Sequence, residues 1–176
     1  MRFQPRTGTL AATAVICGSA LAAAPAVAQA PATAKLRIVG GTQMKPGKFI
    51  RDDQRFAPRN RAVRAGGQVR LANKAKTEDP HTLSVVKRSD LPKTAVEAFS
   101  CEACGPFFGA HGVDEESGDV ANPVVDVGGA GFDQPGDSIF VPPGATVRFD
   151  VGEVEGKTLY YLCAVHPWMQ GKLRVR

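Results

Sequence analysis

Beyond residue 35 the apolar residues of this chain return at every second position, in short bursts. Val69 and Leu71 alternate with Gln68, Arg70 and Ala72, Leu83 and Val85 follow His81, and Val147, Phe149 and Val151 alternate with Thr146, Arg148 and Asp150. A period of two is that of a strand with one buried face. Gly40-Gly41, Gly66-Gly67 and Pro142-Pro143-Gly144 supply breaks and turns between the bursts. Strands are therefore expected over residues 36–39, on both sides of the turn within 63–73, at Ile139 and Val141, over 158–163 and over 172–175. Residues 31–35 are expected to be a short flexible lead-in. Short alternating strands punctuated in this way argue for an all-β fold, a β-sandwich.

The segment from about 87 to 131 breaks the rhythm and reads as one long insertion. Asp90 ahead of Leu91-Pro92 is placed to cap a short helix reaching Phe99, because proline is well tolerated in a first turn. Beyond it come Cys101-Glu102-Ala103-Cys104, a run with Gly and Phe to Gly112, and the acidic Asp114-Glu115-Glu116, which reads as a solvated loop.

The N-terminus carries Arg2 and Arg6, an apolar stretch over 10–24, and small-residue sites at Ala26-Val27-Ala28 and Ala28-Gln29-Ala30. This is the layout of a cleaved secretory signal. A membrane span needs about 20 continuous apolar residues, whereas this stretch is broken by Thr13, Gly18 and Ser19. Bulky Ile16 before Cys17 disfavours a lipid anchor there. With residues 1–30 removed, 31–176 form a single domain in the periplasm or outside the cell. Its formal charge falls from +5 to +3, since the leader holds two Arg and no acid. That mild basicity suits ordinary solubility, or an acidic partner.

Export leaves Cys101, Cys104 and Cys163, an odd number for an oxidising compartment. The first two lie close enough to pair, which singles out Cys163. Around it the sequence reads Tyr160-Tyr161-Leu162-Cys163-Ala164-Val165-His166-Pro167-Trp168-Met169-Gln170-Gly171-Lys172. A thiol, an imidazole and a thioether thus follow one another at three-residue steps in a loop between two strands, and a curled loop can aim all three at one point. Soft sulfur with imidazole selects copper, and two His with one Cys around a weak axial Met make the blue-copper arrangement. Pro80-His81-Thr82 offers the second His at the start of a strand. Taken singly, a Cys or Met is core filling and a His an ordinary core or surface group; taken in this order they point to one mononuclear copper site of His81, Cys163, His166 and Met169.

These residues resemble the plastocyanin and amicyanin branch of the cupredoxins. The Cys163-x-x-His166-x-x-Met169 spacing followed by Gly171-Lys172 is similar to the short ligand loop of amicyanin. Phe56-x-Pro58 running into Val63, Gly66 and Asn73 matches the family at large, as does Val141-x-Pro143-Gly144-x-x-Val147. The insertion has no counterpart in the small members, and Thr82 stands where they often have an Asn that ties the two ligand loops together.

The resemblance implies a Greek-key β-sandwich of the cupredoxin type, with one type 1 copper ion cycling between Cu(I) and Cu(II) to carry single electrons. It also implies that the His166 edge approaches the surface among apolar residues near Pro167 and Trp168. Trp168 and Tyr161 themselves read as packing groups rather than redox relays. Transient redox protein partners, a monomer, no nucleic acid and no membrane span go with this reading. The alternatives are a periplasmic protein that stores or delivers copper, and a copper enzyme; four protein ligands argue against the enzyme, because catalytic metals usually keep a position open. For Cys101 and Cys104 a disulfide is the simplest reading, ahead of a second metal site with His111 or a free thiol pair.

Overall fold

In the computed structural model, which describes residues 29–114 and 116–176, the alternating bursts form strands that stack as two sheets. The leader and Cys17 lie outside the described residues apart from Gln29 and Ala30, as does Glu115 of the acidic run. In chain order the strands are β1 (Thr33–Val39), β2 (Thr42–Lys45), β3 (Phe49–Asp52), β4 (Arg55–Ala57), β5 (Asn60–Val63), β6 (Gln68–Asn73), β7 (His81–Val86), β8 (Val124–Val125), β9 (Ser138–Val141), β10 (Thr146–Asp150), β11 (Thr158–Leu162) and β12 (Gln170–Val175). One sheet has the order β10-β6-β1-β4 and the other β5-β12-β11-β7-β9-β8, while β2 and β3 form a separate hairpin. The chain changes sheets at β4 to β5, β5 to β6, β6 to β7, β9 to β10 and β10 to β11, which gives the all-β sandwich its crossed, Greek-key form. Among the described residues no helix is long and apolar enough to cross a membrane.

Residues 31–35 are not a flexible lead-in throughout, because β1 begins at Thr33. Thr33, Ala34 and Lys35 are already strand, paired in parallel with Gln68, Val69 and Arg70 of β6. Ala34, Leu36 and Ile38 alternate inward along β1, so the buried face starts one pair earlier than residue 36. The turn at Gly66-Gly67 is present, but it joins strands of opposite sheets rather than a hairpin. Between the sheets Leu36, Ile38, Phe56, Val69, Leu71, Leu83, Val85 and Tyr161 form the principal core, with Phe56 edge-on to Tyr161 at 5.0 Å between ring centroids. Burial of each such side chain contributes about 1.5–3 kcal/mol.

The insertion contains more structure than a single short helix. Its first helix, α1 (Ala95–Phe99), is capped by Thr94, whose hydroxyl accepts from the Glu97 N–H at 3.2 Å, and not by Asp90, which lies in a preceding 3-10 turn. A second helix, α2 (Gly105–His111), occupies the run read as loop. Pro106 in its first turn and Gly112 in the left-handed conformation after its last residue set its ends. Phe107 and His111, four residues apart on one face of α2, are buried against the larger sheet. There Phe107, Cys104, Val86, Leu162 and Ala164 make a second small core. All six residues of β7 are consequently buried, so both faces of that strand are covered. Asp114 and Glu116 are exposed, as expected of a solvated loop.

Gly171 marks a tight point of the sandwich, hemmed by backbone and a buried ring. A Cβ there would overlap the Arg59 carbonyl and the Tyr161 hydroxyl, which themselves are hydrogen-bonded at 3.0 Å. Gly171→Ala is expected to destabilise the protein by about 1–3 kcal/mol through overpacking, read as a lower denaturant midpoint at unchanged m-value.

Candidate metal centre

His81 opens β7, Cys163 follows β11 directly, and Met169 immediately precedes β12, so three strand ends of one sheet bring the site together. Register explains the convergence: His81 pairs with Val141 and Ser84 with Leu162, which sets the start of β7 beside the end of β11. The Cys163 sulfur lies 3.7 Å from His81 Nδ1 and 3.9 Å from His166 Nδ1, and the donor atoms of the three residues all fall within 4.8 Å of one another. His81 and Cys163 are fully buried and Met169 nearly so, with His166 8% exposed. Met169 joins the same loop through its backbone: Cys163 N–H donates to its carbonyl at 3.0 Å, and its own N–H donates to the His166 carbonyl at 2.8 Å.

Thr82 fastens the two ligand segments. Its N–H donates to the Cys163 sulfur at 3.3 Å, and its hydroxyl accepts from the Ala164 N–H at 2.8 Å. A threonine hydroxyl therefore makes the cross-loop tie for which the small cupredoxins often use asparagine. Asn73 holds the approach to His81, donating to the carbonyls of Asp79 and Pro142 at 3.2 Å each.

The outer edge of His166 differs from the apolar surface expected. Its Nε2 faces the Gln54 amide at 3.3 Å and an Asp79 carboxylate oxygen at 3.9 Å. Gln54 is 1% exposed and is itself held by Asp52, Asp79 and Thr77. No sequence pattern announces this polar cover, because Gln54 and Asp79 belong to loops with no alternation and reach His166 only through the fold. Of the expected apolar neighbours, Trp168 stands edge-on to His166 at 5.2 Å between ring centroids and is 43% exposed.

Burial favours the neutral form of all three polar donors. Burial, and then the neighbouring His166, lower the His81 pKa to about 4, although Asp79 and Asp52 pull the other way. Burial also lowers His166 against the same two carboxylates, and burial raises the Cys163 thiol against the N–H groups of Thr82, His166 and Val165. His81 Nε2 is buried without a hydrogen-bond partner, so only the Nδ1 side of this ring meets polar company. One thiol and two neutral imidazoles, each facing the others by Nδ1 or sulfur in a dry pocket, fit a thiophilic metal such as copper, whose binding would displace the thiol proton.

Cys101 and Cys104 form a disulfide, and Cys163 is the free cysteine among the described residues. His111 is engaged elsewhere, hydrogen-bonded through Nδ1 to the Asn122 carbonyl at 2.6 Å and through Nε2 to Ser138 at 2.8 Å. The donors weighed for a second metal site, Cys101, Cys104 and His111, are therefore otherwise engaged.

No family model matches the chain, and no curated protein matches it. Among solved structures it is similar to a novel purple cupredoxin from Nitrosopumilus maritimus, at 15% identity and a TM-score of 0.44 over 81% of this chain and 99% of the other. It is also similar to an auracyanin from the photosynthetic bacterium Roseiflexus castenholzii, at 14% identity and a TM-score of 0.45 over 84% and 99%. A Cu-containing nitrite reductase from Thermus scotoductus matches 88% of this chain with 25% of its own length, at 16% identity and a TM-score of 0.38.

Because the His81 pKa is lowered in the folded protein, the unfolded chain binds the extra proton first. The metal-free protein should lose stability as pH falls from about 6.5 toward about 4. Urea unfolding at stepped pH checks this, and His81→Gln should flatten the slope over that window.

Proposed function

We propose that the protein is an exported type 1 copper protein that carries single electrons between transient redox partners, with His81, Cys163, His166 and Met169 as its ligands. The observation that carries the reading is the buried convergence of the Cys163 sulfur with the Nδ1 atoms of His81 and His166. Bound there, copper would supply a Cu(I)/Cu(II) couple.

The chain's own part is to hold the donors still. The Thr82 tie, the Cys163 and Met169 backbone bonds and the strand ends on either side hold the loop through the protein's own bonds, so little reorganisation would accompany a change of charge. Burial excludes water from the sulfur. Met169, the weak thioether donor of the set, would tune the potential more than the occupancy. A partner approaches at Trp168, the exposed ring packed on His166. Four protein donors leave no position for a substrate, which separates this reading from a copper enzyme. Storage or delivery would ask for a site that opens to an acceptor, whereas here Gln54 closes the His166 edge.

Addition of Cu(II) should give an intense visible thiolate-to-copper band that disappears in Cys163→Ser; retention of full colour by that variant would refute the ligand set. Met169→Leu should still bind one copper with a shifted potential, and complete loss of copper from the folded variant would count against Met169 as a weak, tuning ligand. Rapid mixing of the reduced protein with a small copper acceptor separates a carrier, which keeps its metal through repeated redox cycles, from a delivery protein, which surrenders it.

A further inference from the structure

The outward face of the larger sheet carries a row of hydroxyls that no core packing explains. Thr82 and Ser84 lie two apart on β7, and Ser84 pairs in register with Ser138 of β9, so the three share one face. All are buried under the insertion, with Ser84 and Ser138 at 0% exposure. They are hydrogen-bonded in sequence: Thr82 Oγ1 to Ser84 Oγ at 2.8 Å, Ser84 Oγ to Ser138 Oγ at 2.7 Å, and Ser138 Oγ to His111 Nε2 at 2.8 Å. The relay thus runs from α2 to the residue that clasps Cys163.

Its direction follows from its two ends. The Asn122 carbonyl can only accept, so His111 Nδ1 carries the ring proton and, in the neutral ring, Nε2 is a bare acceptor. Ser138 must then donate to His111, Ser84 to Ser138, and Thr82 to Ser84. At the far end the Ala164 N–H fills the Thr82 oxygen. Every hydroxyl donates once and accepts once, and the Thr82 proton is committed away from the metal site. The Thr82 side chain nevertheless lies beside the Cys163 sulfur, because its own backbone N–H reaches that sulfur at 3.3 Å and its oxygen reaches the very next peptide N–H at 2.8 Å.

We propose that His111 is a positioning residue for the metal centre: by terminating the hydroxyl relay as an acceptor it turns the Thr82 hydroxyl away from the Cys163 sulfur, and through it the insertion sets the electron affinity of the site. The proposal deepens the copper reading and rests on it. Without the His111 acceptor the relay reverses, because Ser138 can donate to Ser84, Ser84 to Thr82, and Thr82 to the thiolate, a strong acceptor. A hydrogen bond added to the sulfur withdraws electron density, favours Cu(I) and moves the thiolate-to-copper band to higher energy.

The test compares the Cu(II)-loaded wild-type protein with His111→Phe, Ser84→Ala, the double variant and His111→Gln, by redox titration and visible spectroscopy. Phe keeps the ring volume without an acceptor, Ala cuts the relay in its middle, and Gln returns an acceptor near the Nε2 position. The first two should each raise the Cu(I)/Cu(II) ratio at a fixed potential about fivefold, the worth of about one hydrogen bond, with the band at higher energy. The double variant should shift no further, since both changes reach the same end state, and His111→Gln should stay close to wild type. Unchanged potentials and bands in folded Ser84→Ala, or additive shifts in the double variant, would overturn the relay while leaving the copper site intact.

Nitrogen-15 NMR of the metal-free protein provides a readout that needs no copper. A proton on His111 Nδ1 with hydrogen-bonded, unprotonated Nε2 supports the assignment, and a proton on Nε2 overturns it. Absence of any thiolate-to-copper band in wild type would instead refute the copper reading, leaving the direction of the relay to the NMR result.

Discussion

The site depends on the two hydrogen bonds that Thr82 makes with the ligand loop. A backbone N–H donating to a buried sulfur and a side-chain oxygen accepting from the next peptide N–H fix two segments that are about eighty residues apart in sequence. Either interaction alone would restrain one torsion; together they fix both the position of Cys163 and the start of the loop that carries His166 and Met169. Each is also obligatory, because an unpaired N–H in a dry interior costs about 1–3 kcal/mol. Fixed ligands of this kind serve a centre that must change charge without changing shape.

The insertion alters the usual economy of a sandwich. A sheet packed on one side can leave hydroxyls on its other face to water, but here α2 covers that face and its polar groups must find one another. The apolar contacts of Phe107, Cys104, Val86, Leu162 and Ala164 supply the burial, and the Thr82, Ser84, Ser138 and His111 relay satisfies what is trapped beneath. The disulfide sits at the first turn of α2 and anchors the cover at its root. A segment without catalytic or ligand residues thereby gains a physical connection to the sulfur.

On the opposite side of the centre the two acids nearest His166 are kept from forming a close ion pair with it. Gln54 stands between Asp52, Asp79 and the imidazole, and its amide answers both carboxylates. Burial outweighs those charges in setting the ring neutral, the protonation state in which an imidazole can be a ligand. The exposed apolar contact surface is displaced sideways onto Trp168.

Sequence alone determined the sandwich and the donor order. Alternation with period two shows that a strand has a buried face, and the steps from Cys163 to His166 to Met169 are local, so both were legible without a fold. The disulfide was legible too, since three residues of separation leave Cys101 and Cys104 within reach of each other. Tertiary structure alone decided that Thr33–Lys35 are strand, because their parallel partners on β6 lie more than thirty residues away. It also decided that the Gly- and Phe-containing run is a helix, that Gln54 and Asp79 meet His166, and that Thr82 and Ser84 are buried. Alternation separates the two faces of a strand but cannot say whether the second face meets water or a distant part of the same chain. That choice depends on contacts between residues far apart in sequence, and here it turned a polar row into the link between the insertion and the metal centre.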